Sequence, residues 1–429
     1  MIDKRVLELV LTEQRNEILN KKKLHFCYRK EEELVNLNSN KAQVVIGVRR
    51  SGKSTMCYTV LHRAGVKFAY VNFDDERFLD ISADDLNNIL EVLYKINGTF
   101  THLFMDEVQN VDGWHLFVNR LLRQGMKVII TGSNAKLLSS ELATHLTGRH
   151  STIELFPFSF SEYCTLKGVD TQALTTVDEA TRRSAFDKYI KSGGFPEIVI
   201  YGDERGYINN LVNDILQRDI KNRYNIKFFA VFEKFAHHLM NIAPTIISTD
   251  ELATTFNIKS ELTIRNYIKH LTSAYLLLNI NKFSPKSKLR VRNNKVYTVD
   301  VAIMNNRVDA FASENMGWRL ETIVYVQLLR IARLNYHDVY YYKKNSRAKE
   351  VDFVVCHDNK VLQLLQVAYD ISNPKTKKRE IDSLLEASSE TGCKNLYLIT
   401  DHERESLEID GVIINIIPAY EWLLSSELL

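Results

Sequence analysis

QVVIGVRRSGKST, Gln43 to Thr55, is the stretch that decides how the rest of the chain is read. An apolar run, Gln43 to Ile46, leads straight into Gly47, and Gly52 follows with Lys53 and Ser54 directly behind it. The spacing G-x-x-x-x-G-K-S predicts a phosphate cradle. Gly47 and Gly52 permit tight backbone turns, and the amides through Arg50, Ser51 and Thr55 point inward. Lys53 would reach the β- and γ-phosphates of ATP, and the Ser54 hydroxyl would ligate Mg²⁺. An ordinary strand–loop–helix turn can match the same pattern by accident. The buried-strand run before it and the helix-compatible STMCYTVLHRAG after it favour the cradle.

A chain of 429 residues exceeds one typical core, and its composition, 45% hydrophobic and 25% charged, is that of a globular protein. A net charge of +3 permits nucleic-acid binding without arguing for it. The five scattered cysteines contain no C-x-x-C pair, which excludes a cysteine zinc site and fits a reducing compartment. The N-terminal MIDKRVLELVLTEQRNE carries no signal-like apolar region, and no apolar run approaches the ~18 residues of a membrane span. These features predict a cytoplasmic protein without a membrane partner.

Residues 4–37 read as helix, with Leu7, Val10, Leu11 and Ile18 at helical spacing. From 43 to about 156, the runs QVVIG, FAYVNF, THLFMDE, KVIITGS and STIEL alternate with amphipathic segments. That alternation predicts an α/β fold with a parallel sheet covered on both faces. Asp106 and Glu107, ending the third run, fall at the carboxyl edge where ligands bind. Asp106 there can hold Mg²⁺ together with Ser54, and Glu107 can polarise an attacking water. The next run ends in Ser133 and Asn134, polar groups placed to sense the γ-phosphate.

Together GVRRSGKST, LFMDE, ITGSNAKLLSSELATHLTGR, LFPFSFSEY and GGFPE make the chain similar to the AAA+ ATPases. It resembles the prokaryotic ATP-binding proteins with a winged-helix segment and a C-terminal domain of unknown function. The resemblance implies four segments: a P-loop ATPase at 1–156, a helical lid at 157–225, a winged helix at 226–310 and a C-terminal domain at 311–429. It also implies a homo-oligomer, with Arg149 in the place of an arginine finger; a surface charge or a contact to its own phosphates are the alternatives. Arg218 is a weaker candidate for a lid arginine. A small-molecule kinase is the rival enzyme.

The segment STDELATTFNIKSELTIRNYIKHLT, 248–272, reads as two short helices, the second carrying Arg265 and Lys269 opposite its apolar face. A hairpin follows around Asn293 and Asn294. The strip KFSPKSKLRVRNNK holds Lys282, Lys286, Lys288, Arg290, Arg292 and Lys295 with no acid, a pattern suited either to DNA phosphates or to a solvated face on a protein-docking module. Further on, Glu321 in a helix and Asp352 in a strand resemble the PD-(D/E)XK nucleases, where carboxylates hold Mg²⁺ and a lysine steadies the nucleophile. The third element departs from that pattern: Gln366 replaces the acid and Ala368 the lysine. Lys375, Lys377 or Lys378 are the substitutes that the sequence offers. The expectation is a nuclease-like fold that does not cut.

Overall fold

The computed structural model describes residues 2–20, 27–79, 81–133, 146, 148–172, 174–202, 206–284, 294–305, 315–345, 349–358 and 360–425. The chain divides into two compact units, Met1–Leu155 and Phe156–Leu429.

The first unit is built on five parallel strands: β1 (Ala42–Ile46), β2 (Phe68–Asn72), β3 (His102–Asp106), β4 (Lys127–Gly132) and β5 (His150–Glu154). All five were legible as apolar runs. Their spatial order is β2-β3-β4-β1-β5, so β4 lies between the strand that feeds the glycine loop and the strand that ends in Asp106. β1 and β3 are buried along their whole length, as strands covered on both faces must be. The helices are α1 (Lys4–Asn20), α2 (Lys53–Arg63), α3 (Asp85–Asn97) and α4 (Trp114–Arg123). Ile18 of α1 and Met56, Cys57 and Leu61 of α2 pack with Val45, Phe104 and Ile129 of the sheet in one apolar cluster. Gln14 of α1 also covers the β2 edge: its amide donates to Asn72 O at 3.0 Å and accepts from Asn72 N at 2.9 Å.

Helix α1 spans Lys4–Asn20, and residues 27–37 do not continue it as expected. Arg29 is extended, and Lys30–Leu34 forms a 3₁₀ turn instead. The reason is a tertiary contact: Arg29 Nη1 donates to Ser51 O at 3.2 Å in the glycine loop, which a continuing helix would not present.

The second unit opens with helices α5 (Phe160–Lys167), α6 (Thr176–Ser192), α7 (Pro196–Tyr201), α8 (Tyr207–Asp214) and α9 (Phe229–Ile242). Then come α10 (Thr249–Thr255) and α11 (Glu261–Ser273), started by the hydroxyls of Ser248 and Ser260 accepting from Glu251 N and Thr263 N. Helix α11 buries Ile264, Tyr267 and Leu271, while Ile268 is half-buried.

A nine-stranded mixed sheet follows. Its strands are β6 (Thr245–Ile246), β7 (Leu277–Lys282), β8 (Lys295–Thr298), β9 (Asp338–Lys343), β10 (Glu350–His357), β11 (Lys360–Val367), β12 (Leu396–Thr400), β13 (Glu405–Ile409) and β14 (Val412–Pro418). The order is β13-β14-β12-β11-β10-β9-β7-β8-β6. The antiparallel hairpin β7/β8 thus continues the C-terminal sheet, joined by parallel pairing of Asn281 with Tyr340 and Lys282 with Tyr341. Helices α12 (Met316–Asn335) and α13 (Pro374–Thr391) complete this part.

The GGFPE motif has a structural use here. A side chain at Gly194 would place its Cβ 2.0 Å from Phe158 O, while Gly194 N donates to Asp300 Oδ2 at 2.9 Å and Phe158 N donates to Gly194 O at 2.7 Å. Gly194→Ala must displace backbone rather than a flexible side-chain end. It should lower the stability of the protein by about 2–3 kcal/mol, read from urea unfolding. An unchanged midpoint would show that this approach is not tight.

Candidate nucleotide site and C-terminal carboxylate cluster

The loop between β1 and α2 is shaped by its two glycines. A Cβ on Gly47 would lie 2.0 Å from Leu155 O, and Gly52, with φ at +94°, precedes the first residue of α2. Arg50 is also left-handed, at φ +67°, whereas Ser51 is fully buried. The first turn of α2, with Lys53, Ser54 and Thr55, therefore faces the loop with backbone N–H groups that have no helical acceptor, the usual setting for an anion. Lys53 is buried, and its ammonium donates to Gly47 O at 3.2 Å and Val48 O at 3.0 Å.

The acids expected at the end of β3 meet this loop. Ser54 Oγ donates to Asp106 Oδ1 at 2.9 Å, Thr131 Oγ1 donates to the same oxygen, and Tyr70 OH donates to Oδ2 at 3.1 Å. Burial raises the Asp106 pKa, and the neighbouring Glu107 charge adds to the effect. Glu107 sits at φ +51°, a left-handed conformation that is uncommon for a residue with a side chain. Its N–H donates to Thr131 Oγ1 at 3.1 Å, and its Oε2 accepts from Ser133 N at 3.2 Å, Ser133 Oγ at 3.1 Å and the Gln109 amide. Burial would raise the Glu107 pKa, but the Lys53 charge and these donors outweigh it and hold the group below the usual range.

Sequence reasoning therefore brought together Lys53, Ser54, Asp106, Glu107 and Ser133, and missed Tyr70, Thr131 and Gln109. Gln109 could have been suspected from its place two residues behind Glu107. Tyr70 and Thr131 carry no local signal, because their role depends on β2 and β4 flanking β3. Asn134 lies outside the described residues. Arg149 is exposed and precedes β5 at the opposite edge of the sheet. Glu154, not His150, pairs with Ile46, so about 16 Å of strand separates Arg149 from the glycine-loop edge. The alternative in which it contacts its own phosphates does not fit that distance.

In the second unit, Arg218 lies 3.9 Å from Asp214. Arg265 and Lys269 are exposed on α11, Arg265 paired with Glu261 at 2.7 Å. Lys286, Lys288, Arg290 and Arg292 lie outside the described residues. Lys295 corrects the reading of the basic strip: it is buried, and its ammonium lies 2.6 Å from Glu321, 2.7 Å from Glu350 and 3.7 Å from Asp352. Glu321 and Asp352 thus meet through a lysine from a distant segment. Gln366 Oε1 accepts from Asp352 N at 3.2 Å, and its amide donates to Glu380 at 2.8 Å. Lys375 and Lys378 are exposed, and Lys377 pairs with Glu405.

An AAA-type P-loop NTPase is the class that this sheet order and glycine loop define, and residues 39–164 match a family model described as an AAA domain. Residues 183–314 match a domain of unknown function (DUF8612), and residues 316–422 a second (DUF4143). An uncharacterized protein of Methanocaldococcus jannaschii is 34% identical over 406 residues, covering 91% of this chain and 90% of its own. One of Haemophilus influenzae is 30% identical over 397 residues, covering 89% and 94%. The chain belongs to this archaeal and bacterial family, in which an AAA domain precedes two domains of unknown function. Among solved structures it is similar to AMPPCP-bound DnaA from Aquifex aeolicus, at 18% identity and TM-score 0.26 over 56% of this chain and 85% of that one. The Thermotoga maritima RuvB Holliday junction branch migration motor overlaps at 15% identity and TM-score 0.29, over 68% and 90%. Overlaps at this level carry no weight. Among the described residues, no helix is long and apolar enough to cross a membrane.

The Thr131 hydroxyl serves both acids at once. Thr131→Val keeps the shape but takes the acceptor from Glu107 N and one of three hydroxyl donors from the buried Asp106 carboxylate. The protein should lose about 1–3 kcal/mol of stability in urea unfolding. No loss would mean that water replaces the hydroxyl.

Proposed function

We propose that the chain is a Mg²⁺-dependent ATPase whose AAA domain drives a DNA- or partner-associated switch or remodeller. The observation that carries this reading is the Ser54–Asp106 contact at 2.9 Å with Glu107 beside it. Two adjacent acids, one against the loop hydroxyl and one turned out by a left-handed backbone, suit hydrolysis by water better than transfer to a second substrate.

In this reading the amides of the glycine loop and the first turn of α2 hold the ATP phosphates. Lys53 exchanges the carbonyls of Gly47 and Val48 for β- and γ-phosphate oxygens. Ser54 and Asp106 present the hard oxygen donors that Mg²⁺ takes, and their separation fits that use. Mg²⁺ bound there neutralises charge on the β- and γ-phosphate oxygens. Glu107, held ionised, accepts a proton from the attacking water as general base. Ser133 fixes the Glu107 carboxylate and stands beside the γ-phosphate position; Asn134 follows it in sequence.

A second reading is a nucleotide-gated switch with negligible turnover. It is favoured by one feature: Ser133 and Gln109 donate to Glu107 Oε2 and compete with a water for it. Turnover below one per minute, with strongly ATP-dependent affinity for DNA or a protein, would support the switch. The helix pair α10/α11 and the hairpin have the element order of a winged helix. DNA is a candidate partner through Arg265 and Lys269, and through the basic strip outside the described residues. The C-terminal part, with Gln366 and Ala368 in place of acid and lysine, is proposed to be nuclease-like and inactive in cleavage.

Lys53→Ala should abolish nucleotide binding, measured with a fluorescent ATP analogue. Glu107→Gln should keep binding and reduce phosphate release about 10²–10⁴-fold. Wild-type protein that binds no ATP analogue would end the ATPase reading. For Arg149, the reading is a finger supplied to a neighbouring subunit of a homo-oligomer, the geometry in which an exposed arginine far from its own loop is useful. Specific activity should rise with protein concentration. Mixing Arg149→Ala with Lys53→Ala protein should recover part of the activity that both lack, and no recovery at any ratio would remove the role in trans.

A further inference from the structure

The carboxylates of the C-terminal cluster already have a cation, and it comes from the hairpin. Lys295 opens β8; Glu321 lies on α12, and Glu350 and Asp352 on β10. The Lys295 side chain is 7% exposed. Tyr297, two residues on and fully buried, donates its hydroxyl to Glu321 Oε1 at 2.6 Å. The surrounding acceptors are also engaged. Asp352 Oδ2 accepts from Val367 N at 2.9 Å, and Glu380 accepts from Gln366 and Arg379. Burial alone would lower the Lys295 pKa, but Glu321, Asp352 and Glu350 outweigh it and raise the pKa.

We propose that Lys295 is the resident cation of this cluster, an ammonium seated on the oxygens that a divalent metal would need, closing the site to metal and fixing the hairpin to the C-terminal sheet. Two physical points support this. First, a metal ion placed on Glu321 and Asp352 would sit within about 4 Å of a buried ammonium, where repulsion between like charges is poorly screened. Gln366 cannot compensate, since it is neutral and its amide is spent between Asp352 and Glu380.

Second, the strand pairing between hairpin and C-terminal sheet is only two residue pairs long, extended by Phe283 N donating to Tyr341 O at 2.7 Å. Such a short parallel junction needs other contacts to hold its register. Lys295 supplies the polar part. The apolar part is the stack of Tyr297 on Tyr325, with centroids 4.2 Å apart, and of Tyr325 on Phe353 at 5.8 Å. Tyr325 OH also donates to Asn279 O on β7 at 2.7 Å. The hairpin that could serve as a DNA-reading wing is in this way anchored by its second strand. The proposal is independent of the ATPase reading, because all its residues lie in the second unit.

The test uses full-length protein carrying Asp106→Asn, which removes the proposed metal ligand at the glycine loop. Mn²⁺ is the probe, followed by electron paramagnetic resonance and by thermal unfolding. The Asp106→Asn parent should bind no Mn²⁺ tightly and keep its Tm. Adding Lys295→Met should create Mn²⁺ binding and raise Tm by about 3 °C or more with millimolar metal. Adding Glu321→Gln and Asp352→Asn as well should abolish that gain. Removing one member of a buried ion group can unfold a protein. The Lys295→Met/Glu350→Gln pair, which leaves the net charge of the cluster unchanged, is therefore tested alongside, and its gain of Mn²⁺ binding counts equally. Mn²⁺ bound by the parent and lost with Asp352→Asn would overturn the proposal, because metal and ammonium would then coexist. Folded Lys295 variants that gain no Mn²⁺ binding would overturn it too.

Discussion

A carboxylate buried at the end of a parallel strand has to be given donors, and most of the first unit is arranged around that demand at Asp106. Leaving such a group unpaired in a protein interior costs several kcal/mol. Three hydroxyls meet the demand, from Tyr70 on β2, Thr131 on β4 and Ser54 on α2. The neighbours of β3 in the sheet and the helix behind the glycine loop must all be in register for this to happen. The order β2-β3-β4-β1 brings that about, because it puts β4 beside both β1 and β3. Once Asp106 points inward, Glu107 can reach the edge only by a sharp change of backbone direction, and its left-handed conformation is that change.

The second unit answers a similar demand differently. There the charges belong to three carboxylates, Asp352 buried and Glu321 and Glu350 half-buried, and a buried lysine satisfies them together with a tyrosine hydroxyl. Buried ion groups are weak evidence for net stability, since desolvation offsets much of their attraction. Their stronger effect is on register. A hairpin slipped by one residue would turn Lys295 to the other face and leave acids without a counter-ion. Asp300, linked to both Gly194 and Ala302 through backbone N–H donors, plays a comparable part where the helical segment meets the chain just behind β8.

The two sites also differ in what their geometry permits. At the glycine loop, Lys53 bonds to backbone carbonyls, neutral acceptors that a phosphate can replace with profit. At the C-terminal cluster, Lys295 bonds to charged acceptors within an enclosed space, where exchange for another partner is far more costly. The same side-chain type is exchangeable in one unit and fixed in the other.

The amino-acid sequence by itself determined the first unit almost completely. The glycine loop is a contiguous stretch, β1 to β4 are mainly apolar runs, and Asp106 and Glu107 end one of them, so each feature depends only on neighbours along the chain. Residues 27–37 depart from the expected helix for the converse reason: Arg29 reaches Ser51 across space. Tyr70 and Thr131 acquired their roles only when strand order set them around the acids. Lys295 is the extreme case. Read along the chain, it ended a basic strip suited to phosphates. In the fold it is buried against Glu350, 55 residues away, because the hairpin extends the C-terminal sheet. Pairing between distant strands leaves no periodicity or spacing in either segment, so only the tertiary structure could decide it.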